Sequence, residues 1–393
     1  MKLATLIPIW VVSFTIHAAV GYSPSRSPEV QIRNGTVVGI YDRGRNQDQF
    51  LGIPFAQAPV GALRFSRPQP LEQKWSVPQD ARNYGPSCLG VGIGLPGSDS
   101  NTSWPESEDC LTINVVRPTK HSCQAYPDGL PVLVWVYGGG FQQGYSGDAK
   151  YNLSHLIDMA ASSEQPMIGL LSAETRKSDS VWRICGPRDA IDCLRRIPAQ
   201  ELASAAARVF WRPVIDYDLF SQLPSESLNQ GYFIKVPILI GTNTNEGTLF
   251  LDAYRAGKPV NTREDLWMVM QANMTPFVLS NNTIDLSYQI YSELKNMSEA
   301  QLGTVVEDPG PEYGQLFGQA SLILGDSMFN AGRRATCQAW TKNGVPAYSY
   351  RFDTDPAGVD PRVYGSAHFQ EVAFVFANIG GKGLYTPDIL AEI

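Results

Sequence analysis

Pro131-Val-Leu-Val-Trp-Val-Tyr137 is apolar at almost every position and runs straight into three glycines. A short, β-rich run of this kind predicts a buried central strand followed by a tight turn. Val236-Pro-Ile-Leu-Ile-Gly241 repeats the pattern and ends in Thr-Asn-Thr-Asn-Glu-Gly, and Met167 to Leu171 is a shorter third run. Ala347-Tyr-Ser-Tyr-Arg-Phe352 alternates as a strand does, and Val30 to Ile40 reads as two short strands around an Asn34-Gly35 hairpin turn. Helical spacing takes over elsewhere. Ile191, Leu194, Ile197 and Leu202 recur at helical intervals between Asp189 and Val209, with Pro198 breaking the run. Residues 283 to 302 and 315 to 343 also predict helices. Residues 50 to 75, rich in Pro and Gly, predict an irregular surface wrap, and residues 94 to 106 a loop. Buried strands alternating with helices predict an α/β fold with a mainly parallel central sheet. Ligands of such sheets sit at the carboxyl ends of the strands, here after Tyr137, Gly241 and Phe352.

The two ends of the composition scale narrow the class. The chain has 393 residues, 43% of them hydrophobic and 18% charged, with a formal net charge of -7. That charge argues against a nucleic acid or an anionic membrane surface as partner, since both need a basic patch. Lys2, the apolar stretch Leu3 to Ile16 and the small residues Ala18, Ala19 and Gly21 predict a signal peptide over residues 1–21, cleaved after Gly21. The apolar run is too short for a stable membrane anchor. Residues 22–393 are expected to form one secreted domain. Export allows glycosylation at the sequons of Asn34, Asn101, Asn152, Asn281 and Asn296, with a weaker one at Asn273 before Pro276. It also allows disulfides: Cys88 with Cys110 and Cys185 with Cys193 are local pairs, although sequence alone leaves the pairing open. No cysteines stand in CxxC spacing, and no metal or cofactor is expected.

The candidates for chemistry are few. Of the histidines, His17 lies in the signal segment, His121 in a polar loop and His155 at the start of a helix, which leaves His368 as the leading base. Gly138-Gly139-Gly140 lets backbone N–H groups point at a developing oxyanion, or is simply a tight turn. Glu246, after a buried strand, is placed to orient a histidine, or to favour a helix dipole. Their order along the chain is that of an α/β hydrolase, whose nucleophile falls between the glycine turn and the acid.

Longer motifs carry a resemblance. Phe50-Leu-Gly-Ile-Pro-Phe-Ala-Gln-Ala-Pro-Val-Gly-Ala-Leu-Arg-Phe65 and Ser107-Glu-Asp-Cys-Leu-Thr-Ile-Asn-Val115 resemble the two signatures of type-B carboxylesterases and lipases, the cholinesterase-like family. Pro131 to Gly144 is similar to that family's oxyanion strand and loop. Pro213-Val-Ile-Asp216 and Lys235 to Thr248 are similar to its acid segment, and Gly365-Ser-Ala-His-Phe-Gln-Glu371 to its histidine segment. The resemblance implies an α/β-hydrolase fold and hydrolysis of small-molecule or lipid esters through an acyl-enzyme. It implies Gly139 and Gly140 as oxyanion donors, Glu246 as acid, His368 as base and Cys88–Cys110 as a disulfide. Cys193 fits one end of a second.

The departure lies between residues 168 and 188. No Gly-x-Ser-x-Gly elbow occurs anywhere in the chain. Gly144-Tyr-Ser-Gly-Asp148 and Gly325-Asp-Ser-Met-Phe329 both fail the pattern, and Ser172, in Leu170-Leu-Ser-Ala-Glu174, has bulky residues where the elbow needs glycines. The chain also stops at Ile393, sooner after His368 than the family usually does. The expectation is an internally truncated esterase that is inactive as written; the alternative is a non-catalytic binding protein of the cholinesterase-like kind.

Overall fold

The computed structural model describes residues 27–90, 105–119, 126–172, 190–206, 215, 217, 220–274, 278–294, 309–356 and 359–378. The signal segment, His121, Cys185, Asn101 and Asn296 lie outside the described residues. No helix among the described residues is long and apolar enough to cross a membrane.

The chain opens on a hairpin, β1 (Glu29–Ile32) and β2 (Gly35–Val38), paired antiparallel around Asn34-Gly35. Gly35 has φ +144°, and a Cβ there would fall 2.9 Å from the Trp75 carbonyl, so glycine is required. Then follow β3 (Ile40–Asp42), β4 (Gln47–Pro54), β5 (Gln79–Asp80), β6 (Ser87–Cys88), β7 (Glu106–Ser107), β8 (Thr112–Pro118), β9 (Val132–Val136), β10 (Ile168–Ser172), β11 (Ile238–Asn243) and β12 (Ala347–Phe352). The main sheet has the order β3-β4-β8-β10-β9. Within it β3–β4, β4–β8 and β8–β10 are antiparallel, and only β9–β10 is parallel. A separate parallel pair joins β11 to β12. The sheet expected to be mainly parallel is therefore mixed: within it only β9–β10 is parallel, and β11–β12, β2–β5 and β6–β7 are parallel pairs outside it.

Three expectations for individual strands need correction, the first being β11, expected to be buried, where Leu239 is 69% exposed and only Thr242 and Asn243 are buried. Residues 50–54, expected as part of a surface wrap, belong to β4, where Phe50 is 2% exposed against the core. β9, expected to be buried, is the uncovered edge of the sheet: Val132, Val134 and Val136 are each more than half exposed. Periodicity reports which faces are apolar, and neighbours decide which faces are covered.

Helices pack on both pieces. Helix α1 (Leu153–Ser162) is capped by the Asn152 side chain and buries Leu153 and Ile157 against the main sheet. Helices α2 (Ala190–Arg196) and α3 (Ala199–Ala206) break at Pro198 as expected. Next come α4 (Pro224–Gln230), α5 (Thr248–Tyr254), α6 (Arg263–Met274), α7 (Asn281–Leu294), α8 (Phe317–Gly325), a single π turn, α9 (Ala331–Lys342) and α10 (Val372–Val375). The largest core lies among α5 to α8, where Leu251, Leu266, Ile284, Phe317 and Leu324 are at most 1% exposed. A second core joins the two halves of the chain: Tyr137, Tyr151 and Ile157 pack with Val372 and Phe376 of the α10 region. That contact brings the end of β9 to the histidine loop.

Candidate functional site

The acid is set at the end of β11. Asn243, the last residue of that strand, is 1% exposed, and its backbone N–H donates to Glu246 Oε1 at 2.7 Å. Gly247 follows, and a Cβ there would meet the Ser321 carbonyl at 1.9 Å, so helix α8 packs directly on its backbone. The Glu246 side chain is thereby held at 6% exposure.

The histidine loop is fastened to the same turn. Asn245 N–H donates to the Ser366 carbonyl at 3.0 Å, and Ser366 N–H donates to Asn245 Oδ1 at 3.1 Å. Asn243 Nδ2 donates to the Ala367 carbonyl at 2.6 Å and to Glu371 Oε2 at 2.7 Å. These ties bring His368 Nδ1 to 2.6 Å from Glu246 Oε2 across 122 residues of sequence. The imidazole packs on Phe329 and Phe250, with ring centroids 4.4 Å and 5.1 Å away. Phe369 takes φ +73°, a conformation a bulky residue keeps only when its surroundings enforce it. With Nδ1–H turned to the carboxylate, Nε2 carries the lone pair and can act as a base.

The glycine turn lies beside this pair. Gly139 and Gly140 have φ +141° and +60°. The Gly139 carbonyl accepts from the N–H groups of Gln142 and Gln143, and a Cβ on Gly139 would sit 1.9 Å from the Gln143 carbonyl. The Cβ position of Gly138 is 3.9 Å from the Phe369 ring, so the turn abuts the residue next to His368. Tyr137 stacks on Tyr151, which meets Phe369 edge-on.

A second carboxyl stands behind the pair. Burial raises the pKa of Glu371, opposed by the Asn243 hydrogen bond and reinforced by the charge of Glu246. The neighbouring Tyr350 hydroxyl is pushed up to about 12, first by burial and then by the charges of Glu371 and Glu246. Asn243, Asn245, Glu371 and the two phenylalanines escaped the sequence reading. The one local signal was the pair of asparagines two residues apart, which places both on one face of the turn.

The other sequence candidates fall elsewhere. Ser172 ends β10 opposite Val136 in the parallel register, and its side chain is outside the described residues. His155 lies on α1, with its ring nitrogens 3.4 and 3.3 Å from Arg45 Nη2. Cys88 and Cys110 form a disulfide, and Cys193 is disulfide-bonded as well. Asn34 Nδ2 donates to the carbonyls of Leu71 and Gln73, Asn152 caps α1, and Asn281 begins α7.

Strands that end in a glycine turn, an acid and a histidine are laid out as in α/β hydrolases. The chain belongs to the carboxylesterase family, whose profile matches residues 26–161 and 173–387. That family implies the α/β-hydrolase fold and supports an ester hydrolase function. Among its relatives is an acetylcholinesterase of Electrophorus electricus, 25% identical over 508 residues, covering 95% of this chain and 78% of that protein. Another is a fumonisin B1 esterase of Sphingopyxis macrogoltabida, 26% identical over 444 residues, covering 88% of this chain and 74% of that protein. Carboxylesterase 1E of Rattus norvegicus is 37% identical over 155 residues, which cover 37% of this chain and 26% of that protein.

Proposed function

We propose that this chain is a carboxylic ester hydrolase by descent, with its acid and base assembled and its nucleophile segment missing. The observation that carries the reading is the 2.6 Å contact between His368 Nδ1 and the buried Glu246 carboxylate, beside the glycine turn. In a serine hydrolase of this layout, Nε2 of the histidine takes the proton of the attacking hydroxyl. The carboxylate holds the tautomer and stabilises the imidazolium, and the N–H groups of Gly139 and Gly140 receive the oxyanion. The ester carbonyl is attacked, the alcohol leaves, and water releases the acid.

Three observations support an internal deletion; its placement near residues 168–188 rests on the missing sequence motifs alone, and the family match resumes at residue 173. The chain lacks Gly-x-Ser-x-Gly throughout. The alignment to the electric-eel relative runs over 508 positions, more than the 393 residues of this chain, so part of that relative has no counterpart here. The apolar strand β9 is left as an uncovered edge. An acid and base without a nucleophile retain only a small fraction of the family's rate enhancement. The chain is secreted and carries glycans on a subset of its sequons. Its test is a fluorophosphonate probe, which modifies an activated serine. No labelling is expected, and covalent label on Ser172 or any other serine would overturn the inactivity. A transcript that restores Gly-x-Ser-x-Gly in frame between residues 165 and 190 would establish the active parent form.

A further inference from the structure

Strand β9 has the residues of a buried strand and the setting of a surface one. No described strand lies beyond it in the main sheet. Val132 is 54% exposed, Leu133 37%, Val134 57% and Val136 53%, so the valine face is open as well as the edge. Edge strands in soluble proteins are normally guarded by a charge, a proline or a bulge. β9 has none of these: Val-Leu-Val-Trp-Val contains neither charge nor proline, and its register against β10 is continuous. The other partial sheet differs, since β12 carries Arg351 and β11 ends in the buried Thr242 and Asn243. Among the described strands β11 is also uncharged, with Leu239 69% exposed, but its sequence Ile-Leu-Ile-Gly-Thr-Asn is not symmetric and offers no self-matching register as β9 does.

We propose that β9 is a self-association site, where a second copy of this chain adds its own β9 antiparallel across a two-fold axis at Val134. The strand reads nearly the same in both directions. In that register Val132 of one copy faces Val136 of the other, Leu133 faces Trp135, and Val134 faces its counterpart. Every cross-strand pair is then apolar, and the unpaired N–H and C=O groups of both edges are satisfied together. Charge does not select the occupant, but at the edge itself it does not oppose a second copy. The chain carries a net charge of -7, so two copies repel over most of their surface, while this edge is neutral. Asp128 before the strand falls opposite Gly140 of the other copy, so no like charges meet. An isologous pair of this kind uses up both edges and closes as a dimer. The same open edge supports the missing-segment reading above, but self-association needs only the edge, and fluorophosphonate labelling tests the hydrolase reading separately.

The test uses the full secreted chain. Sedimentation velocity over a concentration series is expected to show a monomer–dimer equilibrium, and Val134→Lys, which sets two ammonium groups face to face at the axis, is expected to shift it by about tenfold or more toward monomer. Leu239→Lys on the edge of β11 is expected to leave it unchanged. Because Val134→Lys can also disturb folding, Val134→Cys in a Cys337→Ala background supplies a positive readout, with the Cys337→Ala chain alone as the control that the remaining cysteines do not cross-link. Residues facing each other in an antiparallel pair have Cα atoms roughly 4.5–5.5 Å apart, within disulfide reach, so mild oxidation is expected to yield a covalent dimer. A parent chain that stays monomeric, or a dimer in which the Val134→Cys variant does not cross-link, would overturn the proposal. Open-ended aggregation that is insensitive to Val134→Lys would overturn it equally.

Discussion

Replacing Asn243 by alanine removes the amide that ties β11 to the histidine loop. Two hydrogen bonds go with it, one to the Ala367 carbonyl at 2.6 Å and one to the Glu371 carboxyl at 2.7 Å. A neutral hydrogen bond contributes about 1 kcal/mol net and one to a charged group about 1.5–3, and a buried acceptor left unpaired adds about 1–3. Asn243 is 1% exposed, so water cannot take over its contacts without opening the loop. The expected loss is about 3–5 kcal/mol, a large share of the roughly 5–15 kcal/mol of a typical domain. Urea unfolding followed by far-UV circular dichroism reads it as a lower midpoint at unchanged slope. Asn243→Asp supplies a second control: it faces Glu371 and Glu246 with a like charge, so its penalty is expected to grow from acid to neutral pH. If Asn243→Ala costs less than about 0.5 kcal/mol, the size of an ordinary surface substitution, the asparagine does not hold the site together.

Two further changes address neighbouring features. Gly139→Ala places a Cβ 1.9 Å from the Gln143 carbonyl at φ +141°, and is expected to destabilise the chain by about 1–3 kcal/mol in thermal unfolding. A smaller cost than that of an alanine at an ordinary loop glycine would show the turn to be relaxed. Glu371 has a folded pKa above the ordinary glutamate value of 4.5, so it binds its proton more tightly in the folded chain. Its contribution is therefore complete below 4.5 and is lost as the pH rises through the folded value. Glu371→Gln removes this titration, and its urea midpoint is expected to gain on the parent's as the pH rises from acid to neutral; parallel curves would refute the assignment.

The Asn34-Gly35 hairpin, β10, β12 and the break at Pro198 were legible in the sequence, because turn residues and periodicity act over a few positions. β8 was not legible as a strand: its buried positions include Thr112 and Asn114, so its alternation is invisible to hydropathy. Asn114 is buried because its side chain accepts from the Gly52 N–H and donates to the Ser146 carbonyl, partners far away in the chain. Phe50–Pro54 was hidden in the same way, since its pairing partner β8 lies some 60 residues on.

Residue type and order alone named Gly139, Gly140, Glu246 and His368 as candidates, because the chemistry of a base, an acid and a glycine turn is written in the side chains. Their meeting was decided by the tertiary structure, through two asparagines and a packed glycine that carry no chemical signature of their own. The same division holds for β9. Its apolar character is a property of its residues, while its exposure depends on what lies beside it, which no pattern within the strand encodes.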